Sequence, residues 1–212
     1  MYEKFFKRVF DCFLSGIALI VLSPVILVTA LLVRIKLGSP VLFRQNRPGK
    51  NEKIFELYKF RSMSNARDEE GNMLPDSDRL SSFGRFIRST SLDELPELLN
   101  IFKGDMSIVG PRPLAVQYLP YYNDEERKRH SVRPGLTGLA QVHGRNTTTW
   151  EERFAFDVKY VQHITVFEDI RIIIETIRVV FDRSGIGERG VDSPMDFDKY
   201  RKAQMEGTGT KQ

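Results

Sequence analysis

Cys12 to Val33 reads CFLSGIALIVLSPVILVTALLV, twenty-two residues without a charge. A straight helix of that length is about 33 Å long, and the hydrocarbon core of a bilayer is about 30 Å thick. Length alone permits a span. Ser23-Pro24 near the middle argues against one, because proline removes a backbone donor and clashes with the preceding turn. Each half, about 18 Å or less, is too short to cross alone. Lys4, Lys7 and Arg8 precede the segment, and Arg34 and Lys36 follow it. Positive residues mark the cytoplasmic side, and both flanks carry them. The expected form is a helix-break-helix that enters and leaves through one leaflet, with Ser23 bonding a carbonyl freed at the bend. A simple span with a tolerated proline is the alternative. A core helix is usually shorter, and no small-residue cleavage site marks a signal peptide.

Outward from that segment the chain turns soluble in character. Of 212 residues, 41% are hydrophobic and 28% charged, a folding mixture rather than a disordered one. A single cysteine, Cys12, excludes a disulfide framework and a multi-cysteine zinc site. The net charge of +4 is a small excess, and no basic run is interleaved with aromatics, so nucleic acid is not expected. Val41–Phe43 and Lys53–Phe60 alternate as short strands do. Residues 65–80 read as an exposed, partly helical loop. Helices are expected over Leu80–Arg88, Leu92–Phe102, Glu151–Gln162 and Phe167–Phe181. Gly104 ends the second, and Thr149 with Glu152 caps the third. Phe167–Phe181 is apolar enough for a core helix, or for one resting on a membrane surface. The chain divides into an anchor (1–38), a catalytic domain (39–184) and a loose polar tail (185–212).

The chemistry gathers around Ser91-Leu92-Asp93-Glu94-Leu95. Read locally, this is a helix start, with Ser91 and Glu94 as a capping box. Read with Arg85 and Arg88 before it and Arg112 after it, the same carboxylates suit a divalent cation and a phosphate. One carboxylate attacks phosphorus while the other holds Mg²⁺. Arg47, Arg112, Arg133 and Arg145 each lie beside Pro or Gly, as positioned phosphate ligands do. Gly185 to Gly190 matches a dinucleotide-loop pattern but follows a helix and leads into the tail, so a dinucleotide fold is not expected. The three histidines have no metal-ligand spacing.

These residues carry a resemblance. Lys7-Arg8-Val9-Phe10-Asp11, Ser23-Pro24, Gln45 to Gly49 (QNRPG), Tyr58 to Met63 (YKFRSM), Ser91 to Pro96 (SLDELP), Lys103 to Pro113 (KGDMSIVGPRP) and Val132 to Arg145 (VRPGLTGLAQVHGR) are similar to the motifs of the small monotopic bacterial phosphoglycosyl transferases. The pattern most resembles the branch that starts the lipid-linked oligosaccharide of bacterial protein N-glycosylation. His143 departs from it, where the family usually has Asn. The resemblance implies an α-rich α/β catalytic domain with membrane-surface amphipathic helices, on the cytoplasmic face of the bacterial inner membrane. It implies transfer of a phospho-sugar from a UDP-sugar to undecaprenyl phosphate with release of UMP. The sugar expected is N-acetylated, with a bacillosamine type as one candidate. Asp93 corresponds to the nucleophile and Glu94 to its Mg²⁺-binding partner. Lys59, Arg88, Arg112 and Arg145 correspond to residues that handle phosphates or order the site, and Asp157 and Asp169 to further acidic positions. The competing readings are a membrane-anchored polyanion-binding scaffold and a glycosyltransferase that moves the sugar alone.

Overall fold

A computed structural model describes residues 2–144, 148–181 and 195–209. A π-helical turn (Tyr2–Phe6) leads into α1 (Lys7–Val21), and α2 (Ser23–Leu37) leaves at a bend of 64°. Pro24 lies in the first turn of α2, where its missing N–H costs nothing. The Ser23 hydroxyl donates to the Ile20 carbonyl at 2.8 Å, as the bend requires. No single helix among the described residues is long and apolar enough to cross a membrane.

The burial of α1 is inverted. Lys7, Asp11 and Ser15, spaced one turn apart, face the protein, while Phe10, Phe13, Leu14, Ile17 and Ile20 are exposed. The buried stripe is satisfied in detail. Lys7 meets Asp169 at 2.6 Å, and the Tyr2 and Tyr160 hydroxyls donate to the same carboxylate. Asp11 accepts from the Ser107 hydroxyl (2.7 Å) and the Ile108 N–H (3.0 Å). Arg8 donates to the carbonyls of Ile101 and Phe102.

Two strands, β1 (Leu42–Pro48) and β2 (Ile54–Phe60), form an antiparallel hairpin in which Leu42 faces Phe60 and Pro48 faces Ile54. The first strand runs longer than its apolar start suggests, because pairing carries the polar QNRP along. The loop after β2 holds one bridge, Arg67 with Met73, and the short helix α3 (Asp76–Arg79). Ser81 caps α4 (Ser82–Ser89) by accepting from the Gly84 N–H. The helix expected over Leu92–Phe102 is split: Leu92–Glu94 is a 3₁₀ turn and α5 spans Glu97–Lys103, ending at Gly104 in the left-handed region. Pro96 sets the division, since it fits a helix start but not an interior.

Further along, β3 (Ser107–Val109) pairs in parallel with β4 (Gly135–Thr137). Between them lies α6 (Asp124–Arg127), and after them α7 (Leu139–Gly144), α8 (Trp150–Gln162) and α9 (Val166–Phe181). Thr149 and Glu152 form the expected capping box on α8. On α9, Asp169 and Ile172 are buried while Phe167, Ile170, Ile174 and Ile177 are exposed, so the helix is amphipathic with an outward apolar face. The loose tail expected from residue 185 is corrected at 197–209, which form α10 (Phe197–Gly209). Phe197 is fully buried among Tyr118, Tyr122, Trp150 and Phe154, and the Trp150 indole donates to the Met195 carbonyl. Polar composition concealed this because two aromatics, Phe197 and Tyr200, anchor an otherwise polar helix.

Candidate active site

Ser91 adopts a left-handed conformation (φ 56°), uncommon outside glycine, and its side chain does not cap the following turn. The expected capping box with Glu94 is therefore wrong. The turn instead directs two adjacent carboxylates inward, so Asp93 and Glu94 are both buried.

They meet different surroundings. Glu94 Oε1 lies 2.9 Å from Lys59 Nζ and 2.6 Å from Arg112 Nη2. Lys59 comes from β2 and Arg112 from the Pro111-Arg112-Pro113 loop. Burial pushes the Glu94 carboxyl up, but Arg112 and Lys59 outweigh it and hold the group below the usual range. Arg112 is raised in turn, chiefly by Glu94. Asp93 has no cation within ion-pair distance among the described residues, and its Oδ1 is buried without a hydrogen-bond partner. Burial and the neighbouring Glu94 charge push Asp93 up to about 6. A third carboxylate, Glu97, lies 3.0 Å from Lys59, and burial pushes it up to about 7. The sequence reading missed Glu97, although it follows Asp93 and Glu94 by about one helical turn.

The other expected residues divide. Arg88 Nε donates to the Ser62 hydroxyl at 2.8 Å, and its charge acts on Asp93. Lys59, Arg88, Arg112, Asp93 and Glu94 thus converge. Arg133 Nε donates to the Gly104 carbonyl at the end of α5, at 2.8 Å. Arg145 and the Gly185–Gly190 pattern lie outside the described residues. Asp157 Oδ2 accepts from Arg129 Nε and Nη2, and the same Nη2 donates to the Arg112 carbonyl at 2.7 Å. That buried pair fixes the loop carrying Arg112. Asp169 holds Lys7 and so fastens α1 to the domain.

A family model described as bacterial sugar transferase matches residues 2–183 of this chain. The chain belongs to the bacterial sugar transferase family. Another member, an uncharacterized sugar transferase of Bacillus subtilis, is 51% identical over 85% of this chain and 89% of its own length. The undecaprenyl-phosphate galactose phosphotransferase of Salmonella typhimurium is 39% identical over 86% of this chain, which spans 42% of that relative. A UDP-glucose:undecaprenyl-phosphate glucose-1-phosphate transferase of Caulobacter vibrioides is 38% identical over 81% of this chain and 68% of its own length. The family and these relatives place the chain among the phosphoglycosyl transferases.

Proposed function

We propose that this protein transfers a sugar phosphate from a UDP-sugar to undecaprenyl phosphate, releases UMP and works through a covalent aspartyl intermediate. The observation that carries the reading is the inequality of the two carboxylates. Glu94 is neutralised by Arg112 and Lys59, whereas Asp93 is buried and unpaired, with its carboxyl pushed up to about 6, so near pH 7 it is an ionised, more basic carboxylate free to attack.

In the first step an Asp93 oxygen attacks the sugar-bearing phosphorus. The bond from that phosphorus to the bridging oxygen breaks, and its electron pair leaves with UMP. In the second step an oxygen of undecaprenyl phosphate attacks the same phosphorus and Asp93 is released as a carboxylate. Both steps build charge on phosphoryl oxygens, which Lys59, Arg88 and Arg112 stand ready to stabilise. The orphaned Asp93 Oδ1 and the adjacent Glu94 suit a hard cation that takes one or two protein carboxylates and fills its remaining positions with phosphate and water. Mg²⁺ held there by Asp93 and Glu94 would neutralise the diphosphate.

The membrane reading belongs to the same proposal. The bent pair α1–α2 enters and leaves through the cytoplasmic leaflet of the inner membrane, and its exposed apolar faces meet lipid. Undecaprenyl phosphate presents its headgroup at the same level. The names of relatives cover galactose, glucose and N-acetylgalactosamine. The N-acetylated sugar, with the bacillosamine type among the candidates, is proposed from the sequence motifs.

The test is a panel of UDP-sugars incubated with purified protein and undecaprenyl phosphate in Mg²⁺. UMP release, highest with an N-acetylated sugar, is expected. Omission of the lipid should leave about one equivalent of UMP per active enzyme and a phospho-sugar on Asp93. UDP as product would make the protein a sugar-only transferase, and no nucleotide product would make it a scaffold.

A further inference from the structure

Lys59 has two carboxylates beside it, and the reaction above uses only one of them. Glu94 Oε1 accepts from Lys59 Nζ at 2.9 Å and from Arg112 Nη2 at 2.6 Å, so one oxygen serves two cations. Glu97 Oε1 lies 3.0 Å from the same Nζ, and the Glu97 side chain is 3% exposed. That contact is an ion pair without hydrogen-bond alignment, which leaves Glu97 Oε1 a buried acceptor with no hydrogen bond of its own. Among the described residues Lys59 is the cation within ion-pair distance of Glu97.

Backbone contacts fix the frame around this pair. Glu97 opens α5, and Asn100 follows it by one turn on the same side of the helix. The Asn100 side chain is buried against β2: Oδ1 accepts from the Tyr58 N–H at 3.0 Å, and Nδ2 donates to the Glu56 carbonyl at 2.7 Å. One amide therefore sets α5 against the strand at the residue before Lys59, and β2 is itself paired along its length with β1. Glu94 lies instead on the 3₁₀ turn ahead of Pro96, and it is the residue that the proposed cation would engage. A cation on Glu94 repels the Lys59 ammonium. A largely buried ammonium left without an anion is unfavourable, and Glu97 offers the open acceptor that prevents this. A lysine ammonium has three N–H donors, so two carboxylates still leave one for a phosphoryl oxygen.

We infer that Glu97 is a positioning residue: from a helix fixed to the strand that carries Lys59, it holds the Lys59 ammonium in place to meet the transferring phosphate while Glu94 is otherwise engaged. The inference rests on the proposed function and adds to it one residue, which acts through Lys59 and does not touch substrate.

A double-mutant cycle tests this. UDP is titrated calorimetrically in Mg²⁺ into the full-length protein in detergent, with Glu97→Leu and Glu97→Gln made alone and in the Lys59→Met background. Glu97→Leu alone should weaken UDP binding by about fivefold or more. Glu97→Gln retains an oxygen acceptor and should recover part of that loss. In the Lys59→Met background both changes should alter UDP binding by less than about twofold. A carboxylate that acts only by its charge gives the opposite sign: its removal tightens UDP binding in either background, and that result overturns the inference. Equal weakening in both backgrounds, as a purely structural role gives, also overturns it. In turnover, Glu97→Leu should lower kcat by about tenfold or more with KM for undecaprenyl phosphate unchanged. Thermal unfolding identifies a misfolded Leu variant, and the Gln cycle then decides. If the cycle holds in UDP binding and no UMP is released, the proposed reaction fails and the role of Glu97 stands. If UMP is released and the cycle shows no coupling to Lys59, the reaction stands and the inference falls.

Discussion

The N-terminal helix and the catalytic site use buried charge in opposite ways. In α1 the charges Lys7 and Asp11 are turned inward and matched: Lys7 with Asp169, Asp11 with a hydroxyl and a backbone N–H. Neither Lys7 nor Asp11 leaves a buried atom without a partner. At the site Glu94 is matched, but Asp93 is buried with an oxygen unpaired. Matched buried charges fix geometry, while unmatched ones store interaction energy for a ligand. The difference separates an element that docks from one that binds.

The comparison breaks most sharply at Asp93. Asp93→Asn should abolish turnover, a loss of at least a thousandfold by UMP assay, because the amide cannot attack phosphorus. The same change should raise thermal stability. The folded pKa of Asp93 lies above the ordinary 3.8, at about 6, so the folded state holds the proton more tightly than the unfolded chain. Native stability therefore falls as pH rises from about 4 through about 6, by at most about 3 kcal/mol for a shift of this size. The variant should lack that slope. Native kcat/KM should rise about tenfold per pH unit below 6 and flatten above it. If Asp93→Asn is less stable than the native protein at pH 8, Asp93 is a matched charge and the contrast collapses.

A smaller effect is expected on the docking side. Asp11→Ala leaves the Ser107 hydroxyl and the Ile108 N–H buried without their acceptor and should cost about 2–4 kcal/mol in unfolding measured in detergent. Phe13→Ala, on the outward face, should change unfolding by less than about 0.5 kcal/mol and instead weaken retention in membranes washed with carbonate. Equal effects of the two would show that α1 does not present opposite faces to protein and lipid.

The smallest expected shift concerns topology. Replacing Ser23 and Pro24 by Ala and Leu should let part of the population form one straight helix of about 33 Å, long enough to span. With Cys12 replaced by Ser, single cysteines at position 2 and within 66–72 report this in whole cells. In the native segment both should resist a membrane-impermeant thiol reagent until cells are opened. Labelling of position 2 from outside, with the loop protected, would show that the native segment spans.

Much was legible without coordinates, and for local reasons. The proline break, its serine, the α8 capping box and the Gly104 helix stop are determined by residues within one or two turns of each other. The motif residues Lys59, Arg88, Asp93, Glu94 and Arg112 were also readable from the sequence, and the structure brings them together. Local reading failed where two local signals competed. Ser91 and Glu94 have the spacing of a capping box, but Lys59 and Arg112 compete for Glu94 from distant points in the chain, and a charged contact is stronger than a cap. Phe197 looked like part of a tail because its partners lie some forty to eighty residues earlier.

The sequence by itself determined the bent apolar segment, the adjacent carboxylates and the family, because each is written in contiguous residues. Only the tertiary structure decided that α1 turns its charges inward and that Asp93 is unmatched while Glu94 is matched. The reason is physical: pairing and desolvation depend on what lies within a few ångströms in space, and spacing along the chain does not encode that.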